Sequence, residues 1–130
     1  MKKYVPNFKA ACKITGDDPN KLPDTSWMPE ARAKSVLAHY QLDIIATAQN
    51  KGCMPDGSDF VPDFSKINQF KWFPIIWYNP SLRRFVYTYA YSAGTDAHLG
   101  ARLATNTAEK ADYIGKNFNK EWNEFLYPQI

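Results

Sequence analysis

Residues 70–92 read FKWFPIIWYNPSLRRFVYTYAYS, and nine of these 23 positions are Phe, Trp or Tyr. Bulky side chains recur at every second position on either side of NPSL (79–82). Alternation of that period marks β-strands, and Asn-Pro-Ser between two such runs marks a turn. The stretch predicts a hairpin with strands over 70–78 and 83–92, Pro80 being preset for the second turn position.

A four-residue turn would set Tyr78 opposite Arg83, Ile76 opposite Phe85, Pro74 opposite Tyr87, Trp72 opposite Tyr89 and Phe70 opposite Tyr91. Side chains alternate across a strand. One face would then hold Phe70, Trp72, Pro74, Ile76, Tyr78, Phe85, Tyr87, Tyr89 and Tyr91. The other would hold Lys71, Phe73, Ile75, Trp77, Arg84, Val86, Thr88 and Ala90. Both are too apolar for a face left to water. Pro74, without an N–H, predicts an edge position or a bulge. The second face has the smaller side chains and offers helices the closer approach, which would leave the tyrosine face open. The alternative is a tyrosine face that is itself core, with its hydroxyls at the rim.

Helices are expected on both sides of the hairpin. Asn7 suits the N-cap of FKAACKIT (8–15), which Gly16 would close. Pro29 and Glu30 suit the first turn of a helix over 29–51. There Ala33, Val36, Leu37, Tyr40, Ile44, Ile45 and Ala48 recur at helical spacing before Gly52. A last helix is expected over 107–126, with Asn106 and Glu109 as a capping-box-like pair and Ala111, Ile114, Phe118, Trp122 and Phe125 as its apolar stripe. A third strand is expected over 101–105. Residues 53–69, with Pro55, Gly57 and Pro62, read as one long irregular loop. The expected fold is α+β, three helices packed on a small three-stranded antiparallel sheet in a single domain over residues 1–130.

The bulk numbers suit that size. A chain of 130 residues with 45% hydrophobic content can bury a core without staples. Its 15% aromatic content implies either a dense core or a sticky face. The net charge is only +3, but residues 71–104 carry four Lys/Arg against one acid. A hairpin both basic and aromatic favours an anionic partner. Cys12 and Cys53 read as reduced thiols, and no run approaches a membrane span. A cytoplasmic protein is expected, with no membrane partner.

Rings interleaved with cations follow the logic of single-strand recognition, in which bases stack on aromatic faces and cations neutralise phosphates. The binding candidates are Lys71, Trp72, Tyr78, Arg83, Arg84, Tyr87, Tyr89, Tyr91 and Arg102. Asp56, Asp59 and Asp63 stand close together in the loop, but the calcium-loop pattern is not met, so they read as turn-formers. His39, His98, Cys12 and Cys53 lack the spacing of a zinc site. His98 lies near Thr95 and Asp96, yet no nucleophile turn or phosphate-cradling glycine loop accompanies it. No catalytic residue, metal or cofactor is assigned, and an enzyme is not expected.

Short motifs along nearly the whole chain carry a resemblance. They are AAC (10–12), KLPD (21–24), AQNKG (48–52), MPD (54–56), KWFP (71–74), YTYAYS (87–92), GARLAT (100–105) and KNFNKEWNEFLY (116–127). In these the chain resembles small uncharacterised proteins encoded by Bacteroides-infecting phages and prophages. It departs from them at Cys53 and Met54, where the relatives carry aromatic residues. The resemblance implies a phage-derived accessory protein in a bacterial host cytoplasm or associated with the virion, and it implies no activity. The expected function is binding, through the aromatic and basic sheet face, of single-stranded nucleic acid, a nucleotide or a host protein. The alternative is a structural or assembly protein that homo-oligomerises through the same face.

Overall fold

Asn7 caps the first helix as its residue type suggests, its Oδ1 accepting from the Ala10 N–H at 2.8 Å. The computed structural model describes residues 4–95 and 101–126. Helix α1 (Phe8–Thr15) ends at Gly16 with φ 87°, a left-handed conformation that costs glycine little. Helix α2 (Glu30–Asn50) follows, and none of its described residues is part of a helix long and apolar enough to cross a membrane. Its buried side is broader than the predicted stripe, because Ala38, Leu42, Ala46 and Gln49 are also covered. Helix α1 and the C-terminal helices both pack on it, so its last three turns are enclosed on several sides.

Strands β1 (Lys71–Asn79) and β2 (Arg84–Ala93) form the predicted antiparallel hairpin, each displaced by one residue. The sheet has two strands, not three. Over 101–105 the chain makes a 3₁₀ turn, Ala101–Leu103, and only Thr105 bridges to β1, exchanging backbone bonds with Trp72 at 2.9 and 2.8 Å. The reason is burial. Leu103, Ala104 and Thr105 are consecutive and all buried, which an alternating strand cannot achieve with one face open. The Asn50 side chain also takes the Ala104 carbonyl at 2.8 Å.

The expected last helix is two helices, α3 (Ala108–Asn117) and α4 (Asn119–Leu126), broken at Phe118 (φ −121°, ψ 41°). Thr107, rather than Asn106, caps α3 by accepting from the Lys110 N–H, while Asn106 accepts from the buried Lys110 Nζ. The break turns α4 so that its polar side meets the hairpin. Asn123 accepts from the Phe85 N–H at 2.7 Å, and Asn119 and Asn123 both donate to the Phe85 carbonyl at 2.9 Å. Those bonds satisfy backbone groups at the outer edge of β2, which would otherwise invite another strand. The opposite side of α4 inserts Trp122 into the main core, its indole N–H donating to the Ile114 carbonyl.

The hairpin register differs from the expected one. Asn79 pairs with Arg84, Tyr78 with Phe85 and Ile76 with Tyr87, whereas Ile75 pairs with Tyr89, Phe73 with Tyr91 and Lys71 with Ala93. The shift between Ile75 and Ile76 is a β-bulge that leaves Thr88 as the extra residue, its hydroxyl donating to the Ile75 carbonyl at 2.8 Å. An extra residue in one strand moves everything beyond it to the other face. The row of tyrosines is thereby divided.

Tyr87 stays on the side of Pro74 and Ile76, beneath α3. Tyr89 and Tyr91 pass to the side of Phe73, Ile75, Trp77 and Val86. The helices cover the Pro74 side: Ile76 packs on the main core, and a Cβ at Gly115 of α3 would lie 2.7 Å from the Pro74 Cβ and against the Tyr87 ring. The expectation of one open tyrosine face with helices on the other is thus corrected. Helix α3 can lie close against the larger side chains because its contact residue, Gly115, has no side chain.

The base of the opposite face is sealed by a second cluster, in which Phe73, Ala93 and Ala104 are joined by Phe64 of the long loop. That loop is built by its own aspartates. Asp56 and Asp63 each accept from the backbone N–H and hydroxyl of the serine two residues on, and Asp59 holds the Gly52 N–H and Lys51 Nζ. These bonds hold all three carboxyls below the usual carboxylate range, the serine bonds being the main cause for Asp56 and Asp63 and the Gly52 bond for Asp59. Cys12, buried under α2, and Cys53, in the loop, are free thiols.

Candidate functional site

With α3 over part of one face and the loop over the base of the other, the most exposed rings of the sheet lie on the distal half of the second face. There Trp77 is 58% exposed and Tyr89 56% exposed, with Ile75 and Val86 half-buried between them. Trp77 sits opposite Val86 and Tyr89 opposite Ile75, so the two rings lie on a diagonal of adjacent rungs, roughly 7 Å apart along the sheet. Tyr91 continues the row and lies near-parallel to Phe73, with centroids 6.3 Å apart. The hairpin therefore presents a short aromatic platform running from its tip toward its base.

The tip is basic. Asn79 Oδ1 accepts from the Ser81 and Leu82 N–H groups, fixing the turn around Pro80. Arg83 then adopts φ 55°, and both Arg83 and Arg84 are exposed. A left-handed conformation costs a residue with a Cβ about 1 kcal/mol, where glycine would adopt it freely. From Phe64 to Thr95 the sequence contains Lys66, Lys71, Arg83 and Arg84 and no acid.

The predicted binding residues fall into three groups. Tyr89, Tyr91, Arg83 and Arg84 share the exposed platform and its tip, although Arg84 also reaches Asn119 at 3.4 Å. Trp72, Tyr78 and Tyr87 belong to the opposite side. Trp72 is half-buried and paired to Thr105, and Tyr78 stands edge-on to Phe85 with centroids 5.5 Å apart. Tyr87 lies under α3.

Lys71 and Arg102 are engaged elsewhere. Lys71 is 0% exposed, its Nζ donating to the Lys66 carbonyl at 2.8 Å and the Gly94 carbonyl at 2.6 Å, 5.0 Å above the Phe64 ring. Arg102 is exposed and pairs with Asp43 of α2 at 3.3 Å. His98 and Asp96 lie outside the described residues. Among the described residues no group of three or more His, Cys, Asp or Glu is placed to hold a metal ion. Trp77, which the sequence assigns to the covered side, is the ring most exposed on the platform. Pro74 was the available signal, since it marked a bulge or edge in this part of the sheet.

A separate concavity of about 510 Å³ opens between the N-terminal segment, β2 and α3. Tyr4 and Tyr113, stacked on each other with centroids 4.5 Å apart, both line it, and the Tyr113 hydroxyl donates to the Val5 carbonyl. Tyr87 enters from β2, where burial, and then the Asp112 carboxylate hydrogen-bonded to it, push its hydroxyl up to about 12. An ordinary tyrosine titrates near 10. The unfolded chain therefore loses this proton first. The stabilisation is complete below pH ~10 and disappears as pH rises toward 12. Alkaline absorbance titration is expected to show a late tyrosinate step that Tyr87→Phe removes. An unchanged late step in that variant would refute the assignment.

No protein-family model, curated protein or solved structure matches this chain.

Proposed function

We propose that the chain is a non-enzymatic binding protein that takes single-stranded nucleic acid on the exposed half of its hairpin. Trp77 and Tyr89 serve as the stacking platform, and Arg83 and Arg84 meet the phosphates. The supporting observation is the pairing of two largely exposed rings with an arginine tip on a hairpin that contains no acid. Stacking on an aromatic face accepts any base, and the cations follow the backbone rather than the sequence. The left-handed Arg83 adds support, since an arginine held where glycine would be cheaper suggests that its side chain is needed. A second copy pairing hairpin to hairpin would bring the same cations from a segment without an acid. The resemblance to phage-encoded proteins is compatible with an accessory role of this kind.

Fluorescence anisotropy with a labelled oligothymidylate of about 15 nucleotides tests the proposal. Trp77→Ala and Tyr89→Ala are each expected to weaken binding roughly 5- to 100-fold, as loss of one stacked base would. Both positions are exposed, so the variants should keep the wild-type melting temperature. Two phosphate contacts predict a log–log salt slope of about −1.4, halved in Arg83→Ala. Absence of binding by the wild type at low salt would overturn the reading. So would concentration-dependent self-association that Trp77→Ala abolishes without any nucleic-acid affinity, which would assign the platform to a second copy.

A further inference from the structure

The concavity between Tyr4, β2 and α3 is built differently from the hairpin platform, and its chemistry has the opposite sign. Its charged lining residues are Glu109 and Asp112, and its rings are Tyr4, Tyr87 and Tyr113. At about 510 Å³ it falls within the size range of small-molecule sites. One part of it already displays what it can hold. The Lys116 ammonium pairs with Asp112 at 3.1 Å and stands 5.6 Å above the centre of the Tyr87 ring. A carboxylate and a tyrosine face together thus fix an alkylammonium, combining ion pairing with cation–π attraction. The other part repeats the components without the cation. Glu109 is exposed and has no ion-pair partner among the described residues, and the stacked Tyr4 and Tyr113 rings line the same space.

We infer that this cleft binds an organic cation, an ammonium group on a short flexible chain, with Glu109 as its counter-ion and the Tyr4–Tyr113 pair as its aromatic wall. Such a group comes either from a free polyamine or from a lysine side chain on a peptide. The inference is independent of the hairpin reading, because no residue is shared between the cleft and the platform. A cation bound here would also bring positive charge to α3 without touching the hairpin tip.

Titration of the full chain with spermidine, and separately with N-acetyl-lysine amide, followed by calorimetry and amide chemical shifts at low salt, tests it. Expected are shifts confined to Tyr4, α3 and the middle of β2, with affinity falling as salt is added. Glu109→Gln should weaken binding at least about fivefold, the loss of roughly 1 kcal/mol of charge pairing. Tyr4→Ala should weaken it by a similar factor. Lys116→Gln should strengthen it, because the Asp112 carboxylate and the face of the Tyr87 ring then lose their own ammonium and can take a second one. All three positions are exposed, and an unchanged melting temperature separates lost binding from lost folding. Tighter binding of spermidine identifies a polyamine as the source, and tighter binding of the lysine derivative a peptide. No shifts with either probe up to about 10 mM, or shifts that Glu109→Gln and Tyr4→Ala leave intact, would overturn the inference.

Discussion

Replacing Gly115 with alanine is expected to destabilise the protein by about 2 kcal/mol, even though alanine is the better helix former. The added Cβ would lie 2.7 Å from the Pro74 Cβ and would collide with the Tyr87 ring. Neither neighbour can retreat easily. Pro74 is a fixed ring in a paired strand, and Tyr87 lies under α3 with its hydroxyl hydrogen-bonded to the Asp112 carboxylate of the same helix. Helix α3 would have to lift off the hairpin, opening the seam that carries Ile76 into the main core. For a chain of this size the melting temperature should fall by roughly 6–10 °C, and Gly115→Val should cost more. A melting temperature equal to or above that of the wild type in Gly115→Ala would mean that the seam is looser than described.

Lys71→Met is the second large effect expected. The wild-type side chain is fully buried, and its Nζ joins the Lys66 and Gly94 carbonyls, tying the end of the long loop to the end of β2. Methionine matches the length but leaves two acceptors without a donor. Each unsatisfied buried acceptor costs about 1–3 kcal/mol, so a loss of about 3 kcal/mol is expected. Because the partners are neutral carbonyls rather than carboxylates, the loss should persist at high salt, unlike that of a surface ion pair. Limited proteolysis should show new cleavage between residues 61 and 70 before global unfolding, since that segment loses its anchor. A denaturation midpoint within about 0.5 kcal/mol of wild type would disprove this role.

Lys71 also shows how a sequence reading can misplace a cation. In KWFP it stands beside rings and looks like part of a binding surface. Its neighbours in space are carbonyls and Phe64 of a loop that no local pattern ties to it. Arg102 stays exposed, and its partner Asp43 on α2 is likewise one that no local pattern ties to it. The cleft residues were not legible either. Tyr4, Glu109 and Tyr113 converge only once the N-terminal segment crosses α3.

What the sequence determined by itself is the set of local elements. Asn7 and Gly16 bounded α1, helical spacing gave α2, and period-2 alternation around an Asn-Pro-Ser turn gave the hairpin. These depend on contacts within a few residues, which composition and spacing encode directly. The tertiary structure decided the faces. One inserted residue, Thr88, sends Tyr89 and Tyr91 outward while Tyr87 stays under α3. Because strand side chains have a period of two, a single residue in register exchanges core for surface. That register is fixed by packing against Gly115 and by the Asn119 and Asn123 bonds to Phe85, which come from parts of the chain distant in sequence.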